Sequence, residues 1–200
     1  MQEHEYEESV VMDASEIDRT LTRMAHQILE QNKGCRDLAI VGVVTRGDLL
    51  AKRLAHLIER IEGTRLPVGS LDISFYRDDA LSHLSPTVQG TDILFSLDGK
   101  TIVLVDDILY TGRTVRAALD ALMDFGRPSR IQLAALVDRG HRELPIRADF
   151  VGKNVPSASN ENVRLYLEEV DGESCVRITR VAPGQKVGSA PLKGVSHVQS

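Results

Sequence analysis

Val103-Leu104-Val105-Asp106-Asp107-Ile108-Leu109-Tyr110-Thr111-Gly112-Arg113-Thr114-Val115 is the stretch that decides the fold. It begins inside the apolar run Thr101 to Val105, the pattern of a strand buried on both faces. Two adjacent carboxylates end the run. A Thr-Gly-Arg-Thr turn then opens an amphipathic segment from Thr114 to Phe125 that Gly126 and Pro128 stop. Backbone amides at a helix start, backed by threonine hydroxyls, form a natural phosphate site, and Gly112 lets the chain come close to the anion. Asp106 and Asp107 would repel that phosphate, so they need another task. Accepting hydrogen bonds from sugar hydroxyls or holding Mg²⁺ suits carboxylates at this point. A strand ending in Asp-Asp is also found in phosphoacceptor signalling domains, but the Thr-Gly-Arg-Thr turn is wrong for them. The complete string points to a ribose-phosphate site.

The same alternation extends on both sides. Leu38 to Val44 is a second continuous apolar run, followed by Thr45-Arg46-Gly47 and a helix from about Asp48 to Ile61, with Leu50, Leu54, Leu57, Ile58 and Ile61 inward. Val68 to Phe75 reads as a strand weakened by Gly69, and Ile131 to Val137 as a third buried one. Residues 77–99 form a long polar excursion with a short strand suggested at Ile93–Phe95; such excursions in compact domains are usually functional or mobile. Near the end, Val163–Val170 and Cys175–Val181 flank Asp171-Gly172 and read as a hairpin. Strands alternating with helices predict an open α/β fold with a mainly parallel central sheet flanked by helices and a C-terminal β-hairpin. Ligands in such sheets sit beyond the carboxyl ends of the strands.

The chain has 200 residues, enough for one domain with a real core. The expected division is an acidic, frayed start over 1–12, a domain over 13–181 and a disordered Pro/Gly/Ser/Lys-rich tail over 182–200. No apolar run approaches the ~20 residues of a bilayer span. The acidic opening MQEHEYEESV has no leader-like apolar segment, so a cytoplasmic location without membrane partners is expected. Cys35 and Cys175 are too isolated for a zinc knuckle or a disulfide framework and read as reduced thiols. Net charge is −5, yet residues 1–18 hold seven acids and no Lys or Arg, leaving 24 basic against 22 acidic residues in the remainder. The global charge therefore does not exclude a nucleic-acid surface.

The 103–115 string resembles the phosphoribosyl pyrophosphate (PRPP) motif of type I phosphoribosyltransferases. Leu21-Thr22-Arg23, Val44-Thr45-Arg46-Gly47, Tyr76-Arg77-Asp78-Asp79 and the run from Val137-Asp138-Arg139-Gly140-His141-Arg142 to Arg147-Ala148-Asp149 extend the resemblance to one subfamily. That subfamily is the pyrimidine-operon attenuation regulators, which both bind RNA and act as uracil phosphoribosyltransferases. The similarity covers about residues 10–180. It implies a type I phosphoribosyltransferase fold that converts uracil and PRPP to UMP and pyrophosphate. Asp106 and Asp107 would hold the ribose hydroxyls, with Asp107 helping to hold Mg²⁺ mainly through bound PRPP. Ile108, Leu109 and Tyr110 lead into the cradle of Thr111, Gly112, Arg113 and Thr114 around the 5′-phosphate. Thr45 and Arg46 would form the pyrophosphate loop, and Arg77 would begin a closing lid. Base recognition would fall on 137–163, with Arg139 at a strand end.

The first helix offers a separate reading. Ser15-Glu16-Ile17-Asp18 looks like a capping box with Ser15 as N-cap. Ile17, Leu21, Met24 and Ile28 share one sector as far as about Gln31, before Gly34 stops the helix. Arg19, Thr22, Arg23 and His26 fall opposite. A solvated polar face explains that arrangement by itself. His141, Arg142, Arg147 and Lys153 make a second basic cluster, and in the resembling subfamily the two groups form an RNA surface read across a dimer. Scarce aromatics (four Tyr, four Phe, no Trp) argue against a general single-strand binder. The implied partners are PRPP, uracil, UMP or UTP, leader mRNA of pyrimidine genes and further copies of the chain, as homodimer or higher homo-oligomer. A salvage phosphoribosyltransferase without RNA binding, and a purely regulatory nucleotide sensor, are the alternatives.

Overall fold

A computed structural model describes residues 8–76 and 90–180. Five parallel strands form the central sheet: β2 (Leu38–Val43), β3 (Val68–Leu71), β4 (Thr101–Leu109), β5 (Arg130–Asp138) and β6 (Phe150–Asn154), in the order β3-β2-β4-β5-β6. Helix α2 (Gly47–Glu62) connects β2 to β3, and α3 (Arg113–Asp124) connects β4 to β5. Chain leaving β2 turns to one side of the sheet and chain leaving β4 to the other, so the strand order reverses between them. Open α/β sheets bind ligands at that point.

The continuous apolar runs follow from two-sided burial. In β4, Val103 and Val105 pack with Leu50, Leu54 and Ile58 of α2 and with Ile17, Leu21, Met24 and Ile28 of α1 (Ala14–Asn32). Ile102 and Leu104 point into the second core, beneath Ala117, Ala118, Ala121 and Leu122 of α3. Each fully buried Leu or Ile contributes about 1.5–3 kcal/mol over leaving it in water. The four apolar residues expected inward on α1 are at most 1% exposed.

Local differences have local causes. The α1 N-cap is Asp13, not Ser15: its Oδ1 accepts the Glu16 amide at 2.7 Å, two residues earlier than the capping-box reading. Lys33 takes a left-handed conformation and ends the helix ahead of Gly34. Ile61 is exposed, because the apolar stripe of α2 rotates off the sheet in its last turn. β3 stops at Leu71, and Phe75, expected inside the strand, is 72% exposed in a turn. Ile93–Phe95 makes no strand; only a single bridge joins Ser70 and Asp92.

Glu8–Met12, expected to be frayed, is strand β1. It pairs antiparallel with β8 (Cys175–Arg180), which pairs with β7 (Glu161–Tyr166). The C-terminal hairpin is therefore two strands of a three-stranded sheet, and its connection contains one helical turn, α4 (Glu168–Asp171), rather than a two-residue turn. Residues 1–7 and the tail 182–200 lie outside the described residues.

Candidate active site

Beyond the carboxyl ends of β2, β3 and β4 lies a cleft of about 250 Å³ lined by Val43–Arg46, Asp72–Ser74, Asp106–Ile108 and Thr114. Two close approaches build it. A Cβ on Gly42 would lie 2.3 Å from the Gly47 carbonyl oxygen, and one on Gly47 would lie 2.5 Å from the Val105 oxygen. Hydrogen atoms at both positions thus let the Thr45–Gly47 loop fold down onto β2 and β4. The Val44–Thr45 peptide is cis.

Two helix N-termini meet at this cleft, and neither has a side-chain cap. Arg46 precedes α2, and Gly112, at φ 92°, precedes α3. Asp13 by contrast caps α1. Uncapped first-turn amides carry partial positive charge and unsatisfied donors, the elements of an anion site. Asp106 is 5% exposed and its Oδ1 accepts the Asp107 amide at 3.0 Å, while Asp107 Oδ1 accepts the Ile108 amide at 2.8 Å. The β4 end therefore holds both carboxylates in fixed orientations at the cleft floor.

The Thr111–Thr114 turn is braced from the β5 side. The Thr111 carbonyl accepts the Glu143 and Leu144 amides at 3.0 and 3.2 Å, Arg113 Nε donates to Glu143 at 2.6 Å, and Leu144 and Ile146 cover Gly112. Arg142, expected on an RNA surface, is turned inward. It donates to the carbonyls of Leu109, Tyr110, Gly140 and Ile146 and pairs with Asp138 at 2.5 Å. Its guanidinium ties the 138–146 segment to the approach of the Thr111–Thr114 turn, with the side chain 23% exposed.

Arg139 is also occupied. At 5% exposure it stacks 4.1 Å over the Tyr110 ring and donates to Ser157 Oγ and to the Ala158 and Glu161 carbonyls. Burial pulls its guanidinium below the ordinary value, with Tyr110 and Glu161 acting against that. These contacts clamp residues 157–161 beside the Thr111–Thr114 turn, and Arg139 is not among the residues lining the cleft.

Sequence reasoning missed Asp72 and Ser74. Asp72 Oδ1 accepts the Ser74 amide and hydroxyl at 2.8 and 2.5 Å, and Oδ2 accepts the Gly90 amide at 3.2 Å, so this carboxylate joins the chain on both sides of residues 77–89. The signal was present: Asp72 follows a strand end, as Asp106 does, but extending β3 to Phe75 concealed it. Arg77 lies outside the described residues.

Arg46 lines the cleft and meets Asp171 of α4, 125 residues away, through Nη2 to Oδ1 at 2.7 Å and Nε to Oδ2 at 3.3 Å. Burial pushes the Asp171 carboxyl up, but the Arg46 hydrogen bond, the Leu167 amide and the Arg46 and Arg164 charges together hold it below the usual carboxylate range. Arg53 grips Glu169 in the same turn at 2.8–3.0 Å.

Of the other basic residues, Thr22, Arg23 and His26 are exposed on α1, with Thr22 Oγ1 donating to the Asp18 carbonyl at 2.8 Å. Arg23 reaches across to the Val151 and Gly152 carbonyls of β6, and Lys153 of the same strand bonds the Val11 carbonyl and Glu16. The α1 face and β6 are thus brought together. Exposed His141 donates Nε2–H to the Ser157 carbonyl at 2.5 Å, and Arg147 is exposed without an ion pair among the described residues.

A carboxylate pair beside two uncapped helix starts, at the switch point of a parallel sheet, is the arrangement a phosphoribosyltransferase site calls for. The phosphoribosyl transferase domain family matches residues 12–169. Bifunctional protein PyrR of Roseiflexus sp. (strain RS-1) is 60% identical over 166 residues, covering 82% of this chain and 91% of the relative. Bifunctional protein PyrR of Pelotomaculum thermopropionicum is 58% identical over 178 residues, 88% and 98% of the two chains. The chain belongs to the PyrR family, the pyrimidine regulators and uracil phosphoribosyltransferases whose motifs it resembles. The fold is shared more widely. A hypoxanthine phosphoribosyltransferase from Staphylococcus aureus superposes with a TM-score of 0.64 at 21% identity, over 87% of this chain and 93% of that one. The Trypanosoma cruzi enzyme gives 0.66 at 20%, over 90% and 95%.

Proposed function

We propose that the cleft converts uracil and PRPP to UMP and pyrophosphate, and that the α1–β6 face binds leader mRNA of pyrimidine genes when a uridine nucleotide occupies that cleft. The observation that carries the reading is the convergence of Asp106, Asp107, Arg46 and Thr114 in one cleft, with the uncapped starts of α2 and α3 around it.

The bond between the ribose anomeric carbon and a pyrophosphate oxygen breaks as a uracil ring nitrogen bonds to that carbon and loses its proton. Negative charge grows on the leaving group while the sugar becomes oxocarbenium-like. Arg46 and the first-turn amides of α2 face the leaving pyrophosphate and stabilise its charge. Asp106 and Asp107 hold the ribose hydroxyls and favour the cationic sugar. The Thr111–Thr114 turn anchors the 5′-phosphate, so that much of the acceleration comes from positioning.

No group of three or more ligating side chains exists among the described residues. The adjacent Asp106 and Asp107 at the cleft suit Mg²⁺, which binds through one or two carboxylates and substrate phosphates rather than a dedicated cage. Asp107, with Asp106 beside it, would hold the ion, which when bound neutralises pyrophosphate charge.

Thr22, Arg23, His26 and Lys153 are the RNA contacts this reading favours, joined by His141 and Arg147 at the rim. Arg142 acts there only by shaping the loop that carries them. Among the described residues no helix is long and apolar enough to cross a membrane, and a cytoplasmic homodimer or larger homo-oligomer completes the proposal.

The test pairs UMP formation from uracil and PRPP with RNA binding to a pyrimidine-operon leader, with and without UMP, at several salt concentrations. Turnover, with binding that UMP strengthens and salt weakens, is expected. Turnover without leader binding would select a salvage enzyme.

A further inference from the structure

The Arg46–Asp171 pair is the least expected contact at the cleft. Arg46 follows β2, whereas Asp171 closes α4 in the small sheet's connection, and their side chains are 15% and 11% exposed. Asp171 engages Nε and Nη2, one edge of the guanidinium. The Nη1 side has no partner among the described residues, and Arg46 lines the cleft. A planar guanidinium held along one edge can still fork an oxyanion along another. The turn bearing Asp171 is itself anchored, because Asp171 Oδ2 also accepts the Leu167 amide at 2.9 Å.

We propose that Asp171 is a positioning residue for the transfer reaction, holding Arg46 by one edge so that the other is presented to the diphosphate of the incoming sugar. This rests on the reading of the cleft given above. Held in this way, Arg46 need not be ordered when the substrate arrives, and the small sheet takes part in pyrophosphate recognition although it carries no residue of the cleft lining. Charge alone predicts the reverse. A carboxylate beside a diphosphate site repels the ligand, so if the negative charge of Asp171 mattered more than its grip, removing it would tighten pyrophosphate binding. The two accounts differ in sign.

The experiment is a double-mutant cycle on the full chain with Mg²⁺, comparing wild type, Asp171→Ala, Arg46→Ala and the double variant, with Asp171→Asn and Glu169→Ala beside them. It has two readouts: the affinity for inorganic pyrophosphate by calorimetry, and steady-state UMP formation. Asp171→Ala is expected to weaken pyrophosphate about tenfold and to lower kcat/KM for PRPP by about 10–100-fold, as for a misplaced positioning group. KM for uracil should stay within twofold. Asp171→Asn, which keeps one acceptor for Nη2, should fall between, and it carries the cycle if the alanine variant does not fold. In the Arg46→Ala background the same change should cost less than twofold, and Glu169→Ala should stay near wild type. Tighter pyrophosphate binding by Asp171→Ala, an equal loss without Arg46, or an equal loss in Glu169→Ala would overturn the proposal. A wild-type chain that forms no UMP would instead overturn the reading of the cleft, and the pyrophosphate cycle would still judge Asp171 by itself.

Discussion

Replacing Gly47 by alanine sets helix propensity against packing. Gly47 is the first residue of α2, and in a helix interior alanine is favoured over glycine by about 1 kcal/mol. Propensity alone therefore predicts a slightly more stable protein. The added Cβ, however, would sit 2.5 Å from the Val105 oxygen and 3.3 Å from the Asp106 Cα. Reaching even 3.0 Å requires a shift of at least about 0.5 Å. Val105 cannot supply it, because β4 is paired there with Gly42 on one side and Ala134 on the other. The Thr45–Gly47 loop must lift instead, carrying Arg46 with it. Overpacking of this kind costs about 1–3 kcal/mol. For a chain of this size that is a fall in Tm of about 2–12 °C, at about 2–4 °C per kcal/mol. Misplacing a positioned group by about 1 Å can cost ~10²-fold in rate, so half that shift predicts a loss of about tenfold in kcat/KM for PRPP. Thermal unfolding and steady-state UMP synthesis measure the two effects. A raised Tm with unchanged turnover would refute the argument that close approach of the loop to β4 builds the cleft.

Further outcomes follow from the same geometry. Asp107→Asn keeps an oxygen to accept the Ile108 amide but loses its charge, so UMP formation should drop by at least ~10²-fold while RNA affinity changes little. Equal loss of both would make the residue structural. Arg142→Ala removes a half-buried hub of carbonyl and Asp138 contacts, and should cost about 1.5–3 kcal/mol of stability and reduce turnover. Intact catalysis and melting with weakened RNA binding would return Arg142 to the RNA surface. Asp13→Ala deletes the α1 cap and should cost about 1 kcal/mol by urea denaturation. Asp171 and Glu169 have folded values below their ordinary 3.8 and 4.5, so their contribution is full above those values and is lost as pH falls through the lower folded ones. Acid titration of stability should therefore be flatter in Asp171→Asn than in wild type, and parallel curves would count against the pairing.

What the sequence determined by itself was written in short windows. The runs at 38–44, 101–105 and 131–137 encode β2, β4 and β5, because a strand covered on both faces needs apolar residues at every position. The Thr111–Thr114 turn and the Asp106-Asp107 pair mark the candidate site within a dozen residues, and the 3.6-residue period of α1 assigns its buried face. Tertiary structure decided the rest. Strand β1 is a five-residue segment just after the acidic start and β6 a five-residue edge strand containing Gly152, and each acquires its conformation from a distant partner rather than from an alternating pattern. Arg142 and Arg147 are equally basic as letters, yet one has its donors turned onto backbone carbonyls and the other stands exposed. Asp72 joins the cleft only because β3 is four residues long and ends just before it. Asp171 meets Arg46 because the small sheet brings α4 to the start of α2. A side chain's charge is a local property, but its partner is chosen by which surfaces the sheet order brings together.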